Sequence, residues 1–216
     1  LEGAAEAAAP SSGSEPAALP LALTDLARVV QLKGLCSPAA AAAALSAEEA
    51  AVQRLLAEHE PLFRSTPRGM ALSPAGRDWL AEQLAAERAA LDLEAVNGAY
   101  ERFLALNRRF KRLVTDWQLS SANGHTEAAL AELADALAAL HAEVRPLVDE
   151  TAEQLPRLGR YAERFEAALA RLSAGDASML ASPLKDSYHT VWFEYHEELI
   201  ALCGRDRAAE ERAEGG

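Results

Sequence analysis

Apolar residues recur at three- and four-residue spacing through most of the chain, a periodicity that predicts helices almost throughout. Leu23, Leu26, Val29, Val30 and Leu32 mark a first helix, with Thr24 or Asp25 as its cap and Gly34 as its end. Ser37-Pro38 opens a short alanine helix, serine capping and proline in the first turn. After a break at Leu45-Ser46, a third helix is expected. Ser46 is read as its cap, Glu49 as the partner in a capping box, and Ala50, Val52, Leu55 and Leu56 as its buried stripe. Pro61 stops it. Leu62-Phe63-Arg64 and Met70-Ala71-Leu72, on either side of Pro67-Arg68-Gly69, predict a small β-hairpin. Ser73-Pro74 then restarts a helix carrying Trp79, Leu80 and Leu84.

Beyond Arg88 the pattern is helical only. One run spans Leu93 to Leu119, and residues 120–124 form a loop. A further helix runs from Leu130 to about Leu155, kinked or divided at Pro146. Tyr161–Leu172 follows, Gly175-Asp176 turns the chain, and a last helix contains Asp186 to Leu199. The fold class expected is mainly α: a winged helix-turn-helix of three helices plus a small hairpin, then an all-α helical bundle. Residues 1–20 are read as a disordered tail or linker, 21–90 as the winged helix, 91–205 as the bundle and 206–216 as a frayed end.

Composition narrows the function. Thirty-three acidic against 21 basic residues give a net charge of −12, which favours solubility and opposes loose attraction to nucleic acid or anionic membrane. Cys36 and Cys203 stand far apart without metal-type spacing, as expected of free thiols in a reducing cytoplasm. No apolar run approaches the roughly 20 residues of a membrane span, and no basic region precedes a hydrophobic stretch as in a signal peptide. A cytoplasmic protein without membrane partners is expected. The chain begins with leucine, so a fragment of a longer protein is expected too.

The segment Leu23 to Arg88 resembles winged-helix regulators of the MarR-like type. The residues that carry the resemblance are the helix-turn-helix at Ser37 to Glu58 and the string Leu72-Ser73-Pro74-Ala75-Gly76-Arg77. The remainder resembles a helical segment of actinobacterial proteins of winged-helix type, through Leu106-Asn107, Thr115-Asp116-Trp117-Gln118 and Asp186 to Glu194. A similar unit occurs beside the swivelling domain of some phosphoenolpyruvate-utilising proteins. The resemblance implies promoter DNA as partner, a homodimer, a small-molecule effector and no cofactor. It places DNA contacts at Ser46, Gln53, Arg54, Arg64 and Arg68. Charge argues the other way: Thr24 to Arg88 holds seven Arg/Lys against eight Asp/Glu, and Glu48 and Glu49 would face phosphates.

Candidate chemistry gathers in Asp186 to Leu199, where Tyr188, Trp192, Phe193 and Tyr195 stand among His189, Glu194, His196 and Glu197. On a helix, His189 and His196 lie two turns apart, about 10 Å, too far to share one metal ion directly. No metal site is expected. With Thr115, Asp116, Trp117 and Gln118 as partners, Tyr188, His189, Trp192, Glu194 and Tyr195 form either an effector pocket or a buried network that satisfies itself. Asp116 is taken as buried. Basic residues cluster once, at Arg102, Arg108, Arg109, Lys111 and Arg112. No nucleophile elbow or phosphate loop is present, so no catalytic residue is assigned. Three functions stay open: a DNA-binding transcriptional regulator with an effector-sensing bundle, a winged-helix accessory or interaction module that does not bind DNA, and an enzyme using His189 and Glu194.

Overall fold

A computed structural model describes residues 21–120 and 126–205. The tails read at 1–20 and 206–216 and the loop at 121–124 lie outside the described residues. Eight α-helices and one two-stranded antiparallel hairpin make up the described fold. The N-terminal lobe comprises α1 (Leu23–Lys33), α2 (Pro38–Ala44), α3 (Glu49–Glu58), β1 (Phe63–Thr66), β2 (Gly69–Leu72) and α4 (Pro74–Ala89). The bundle comprises α5 (Leu93–Ser120), α6 (Glu127–Gln154), α7 (Arg160–Ser173) and α8 (Tyr188–Leu202). Each lobe has its own apolar core, the first around Leu26, Val29, Val52 and Leu80, the second around Phe103, Phe110, Tyr161 and Tyr195.

Local chemistry explains most boundaries. Ser37 and Ser73 cap α2 and α4, each hydroxyl accepting from the backbone N–H three residues on. Gly34 ends α1 at φ 67°. The strands pair from Phe63 with Leu72 to Thr66 with Gly69, so the hairpin turn is Pro67-Arg68. A single bridge from Cys36 to Met70 ties the segment between α1 and α2 to this hairpin. Gly76 is obligatory for a steric reason: a Cβ there would collide with the Leu62 backbone carbonyl.

Four local expectations are corrected. α1 is preceded by Ala22, so neither Thr24 nor Asp25 caps it. Ser46 does not cap α3; it sits in the preceding turn at φ 49°, and Glu48 takes the cap position without a side-chain bond. In α3 only Val52 is buried; Leu55 and Leu56 are half-buried and Ala50 is exposed. Pro146 lies inside α6 without dividing it: Glu127–Gln154 stays one helix, and the proline sits on its exposed face.

α5 and α6 are antiparallel, as two forked ion pairs show: Arg102 holds Glu150 at 2.6 and 2.7 Å, and seven residues along α5, Arg109 holds Glu143, seven residues back along α6. Each helix is about 42 Å long at 1.5 Å per residue. α7 packs on α6, and α8 packs on both α5 and α7. α8 is therefore the axis of the molecule. It is covered almost all round, with Phe193 its one exposed large apolar side chain.

Candidate functional site

A helix covered on every side ought to be apolar on every side, yet α8 buries Glu194, His196 and Glu198. The physical problem is to neutralise two buried carboxylates, Glu194 only 2% exposed and Glu198 fully buried. Glu194 and Glu198 are one turn apart and point the same way, toward α1 and α7. Arg28 of α1 donates from Nε to Glu198 at 3.0 Å and from Nη2 to the Glu197 carbonyl at 2.9 Å. From the other side Arg157 reaches Glu198 at 2.7 Å, Arg160 at 3.2 Å and the Tyr161 hydroxyl at 3.3 Å. Arg157 also binds Glu87 of α4 at 3.1 Å.

One turn along, the pattern repeats. Lys33 of α1 donates to Glu194 at 2.8 Å, and Arg164 of α7 lies 2.8 Å from its second oxygen. Arg164 also grips Asp186 in a two-bond fork at 2.7 and 2.6 Å. Two charged rungs thus join α1 of one lobe to α7 and α8 of the other. Burial alone would raise the Glu198 carboxyl, but Arg157, Arg28 and Arg160 outweigh it and hold it at about 2. Asp25, at the edge of the seam, is driven the opposite way: burial raises it, and Arg160 and Arg157 stand 4.0 and 3.8 Å off without restoring it.

The aromatic face of α8 meets α5. Trp192 stacks on Phe110 and Phe103 with ring centres 4.5 and 4.9 Å apart, and its Nε1 donates to Asn107 at 2.9 Å. His196 lies against Tyr100 and Phe103. The Tyr195 hydroxyl meets Thr151 at 2.9 Å and the Leu147 carbonyl at 3.2 Å. Tyr188 reaches His141 at 3.3 Å. His189 is exposed and stacks on Phe110, and partial burial pushes its imidazole below the ordinary value.

Thr115, Asp116 and Gln118 are exposed near the far end of α5, so the structure does not bury Asp116. Asp116 and half-buried Trp117 line a groove of about 610 Å³ between α5 and α6, bordered by Arg112, Leu113 and Leu133 but by nothing from α8. The nine residues read from sequence as one pocket are therefore split. Tyr188, Trp192 and Tyr195 are hydrogen-bonded within the core, Glu194 is ion-paired at the seam, His189 faces the cleft beside it, and the Thr115–Gln118 group lies beyond. His189 and Glu194 share no hydrogen bond, and no cluster of three metal-binding side chains occurs among the described residues.

The expected DNA contacts are all exposed: Ser46, Gln53, Arg54, Arg64 and Arg68. Gln53 is engaged with Glu49 at 2.9 Å. Two clefts flank the seam. Ser46, Ala47, Glu48 and Ala51 share one of about 750 Å³ with Pro156, Arg157 and Arg160. The other, about 690 Å³, runs between α1–α2, Arg68 of the hairpin and the Pro183–Glu194 stretch.

The basic cluster on α5 is partly consumed by α6, through Arg102–Glu150 and Arg109–Glu143. A second basic group, Arg157, Arg160 and Arg164, was missed. Its three- and four-residue spacing puts it on one helix face, and the matching Glu194/Glu198 spacing in α8 was the available signal. No helix among the described residues is long and apolar enough to cross a membrane. No family model matches the chain, and no curated protein and no solved structure matches it either.

Proposed function

We propose that the chain is an interaction module: a winged-helix lobe fixed to a four-helix bundle, its third helix used for packing and partner contact and not for reading DNA. The observation that carries this is the position of α3. A reading helix presents its first turn to base edges in the major groove. Here that turn, Ser46 to Ala51, borders the bundle at Pro156 to Arg160, and the hairpin tip at Arg68 borders the bundle on the opposite side of the seam. A duplex seated on both would compete with α7 and α8 for the same space.

Charge supports the same reading. The exposed stretch from Ser46 to Glu60 carries Glu48, Glu49, Glu58 and Glu60 against Arg54 alone. The cations that would balance the lobe, Arg28 and Lys33, are spent on Glu198 and Glu194. The test is DNA retardation at low salt with sheared genomic fragments. No salt-dependent shift is expected. A shift that weakens as salt rises and is lost in Arg54→Ala would overturn the proposal.

One observation favours a second reading, a dimeric DNA-binding regulator. Arg54 and Arg64 are exposed and have no ion-pair partner among the described residues, and two copies would bring four such guanidinium groups to one face. A map of chromosomal binding sites separates the two readings: discrete promoter peaks support the regulator, their absence the interaction module.

A further inference from the structure

The cleft between α1–α2 and the start of α8 has two properties that the ionic seam beside it does not need. Among the described residues, five large apolar side chains are exposed, and three of them, Leu35, Leu184 and Phe193, border this one cleft. Exposed apolar side chains gathered around a concavity mark a place where something else is buried. The cleft is about 690 Å³, within the roughly 300–1,000 Å³ of small-molecule sites.

Its charge is unbalanced in one direction. Lys33 is neutralised by Glu194 and Asp186, and Lys185 by Asp176 at 3.1 Å. Asp186 and Glu194 are in turn occupied by Arg164. Arg68 is exposed at the hairpin tip, and its guanidinium has no ion pair or hydrogen bond among the described residues. One unspent positive charge over an aliphatic and aromatic wall fits a ligand with one negative end and an apolar body.

We propose that this cleft binds an amphipathic monoanion, its anionic end on Arg68 and its apolar chain against Leu35, Leu184 and Phe193. The ligand bridges the two lobes, because Arg68 and Leu35 belong to one and Leu184 and Phe193 to the other. This goes beyond the interaction-module reading and does not depend on it: retardation of DNA and binding of a monoanion are separate measurements.

The test is isothermal titration calorimetry of the whole chain with three probes: decanoate, decanol and acetate. Decanoate is expected to bind saturably at one site, decanol about tenfold more weakly for want of the charge, and acetate not at all. Arg68→Ala should reduce decanoate to the affinity of decanol. Leu184→Asp, at a side chain 94% exposed and so unable to disturb the core, should weaken both by at least about tenfold. Arg112→Ala, on the far groove, should change nothing. No saturable heat below the micelle concentration of decanoate would overturn the proposal. So would equal binding to wild type and Arg68→Ala. If sedimentation instead shows dimers that Phe193→Asp abolishes, the patch is an interface between copies and the ligand proposal falls.

Discussion

Glu198→Gln tests the seam most directly, because it deletes one charge and keeps the shape. In the wild type that carboxylate is fully buried and takes bonds from Arg28 at 3.0 Å, Arg157 at 2.7 Å and Arg160 at 3.2 Å. Its removal leaves three arginines with only Asp25 and Glu87 nearby, and breaking such a buried set costs about 3–5 kcal/mol. An independent route gives the same size. A carboxyl held at about 2 in place of its ordinary 4.5 corresponds to about 3 kcal/mol of native stability at neutral pH. The folded value is depressed, so this contribution is complete above pH 4.5 and disappears as pH falls through 2. By pH 3.5 roughly 1 kcal/mol of it is gone. Urea denaturation of wild type and Glu198→Gln, followed by circular dichroism at pH 7 and pH 3.5, should therefore show a gap of about 3 kcal/mol that narrows by roughly 1 kcal/mol. A loss under about 1 kcal/mol at pH 7, or a gap identical at both pH values, would refute the claim that Glu198 carries the junction.

Two further outcomes concern groups outside the seam. Asn107→Leu strands the buried Trp192 N–H that Asn107 now accepts, at a cost of about 1–3 kcal/mol. Asn107→Leu/Trp192→Phe should lose less than the sum of the two single variants in a denaturation cycle, and strict additivity would show that the bond contributes nothing. Burial pushes the Cys36 thiol up to about 11, whereas Cys203 is half-buried near the end of α8. Thiol titration of the native protein at pH 8 should therefore label Cys203 first and Cys36 only on unfolding, and equal rates would contradict the burial of Cys36 against the hairpin.

Helix positions were legible because their signals are local. The spacing of Leu26, Val29 and Val30, the serines before Pro38 and Pro74, and Gly34 each act within a turn or two of themselves. Ser46 was misread for a related reason. A serine three residues before a glutamate satisfies the capping-box pattern, but the pattern does not report the left-handed backbone that the α2–α3 turn imposes. The importance of the aromatic helix was also legible, since no surface helix needs that density of rings.

What α8 is for could not be read along the chain. Asp116 and His189 both looked like pocket residues, and the register of α5 against α8 placed one on the surface and the other at the seam. Glu198 is neutralised by Arg28 across 170 residues, by Arg160 at the start of α7 and by Arg157 in the turn just before it. The sequence by itself determined which segments are helical and which faces are apolar, because propensity, capping and periodicity are set by near neighbours. Only the tertiary structure decided which charges cancel and which side chains stay exposed, because the cost of burying a carboxylate depends on cations that packing brings in from distant parts of the chain.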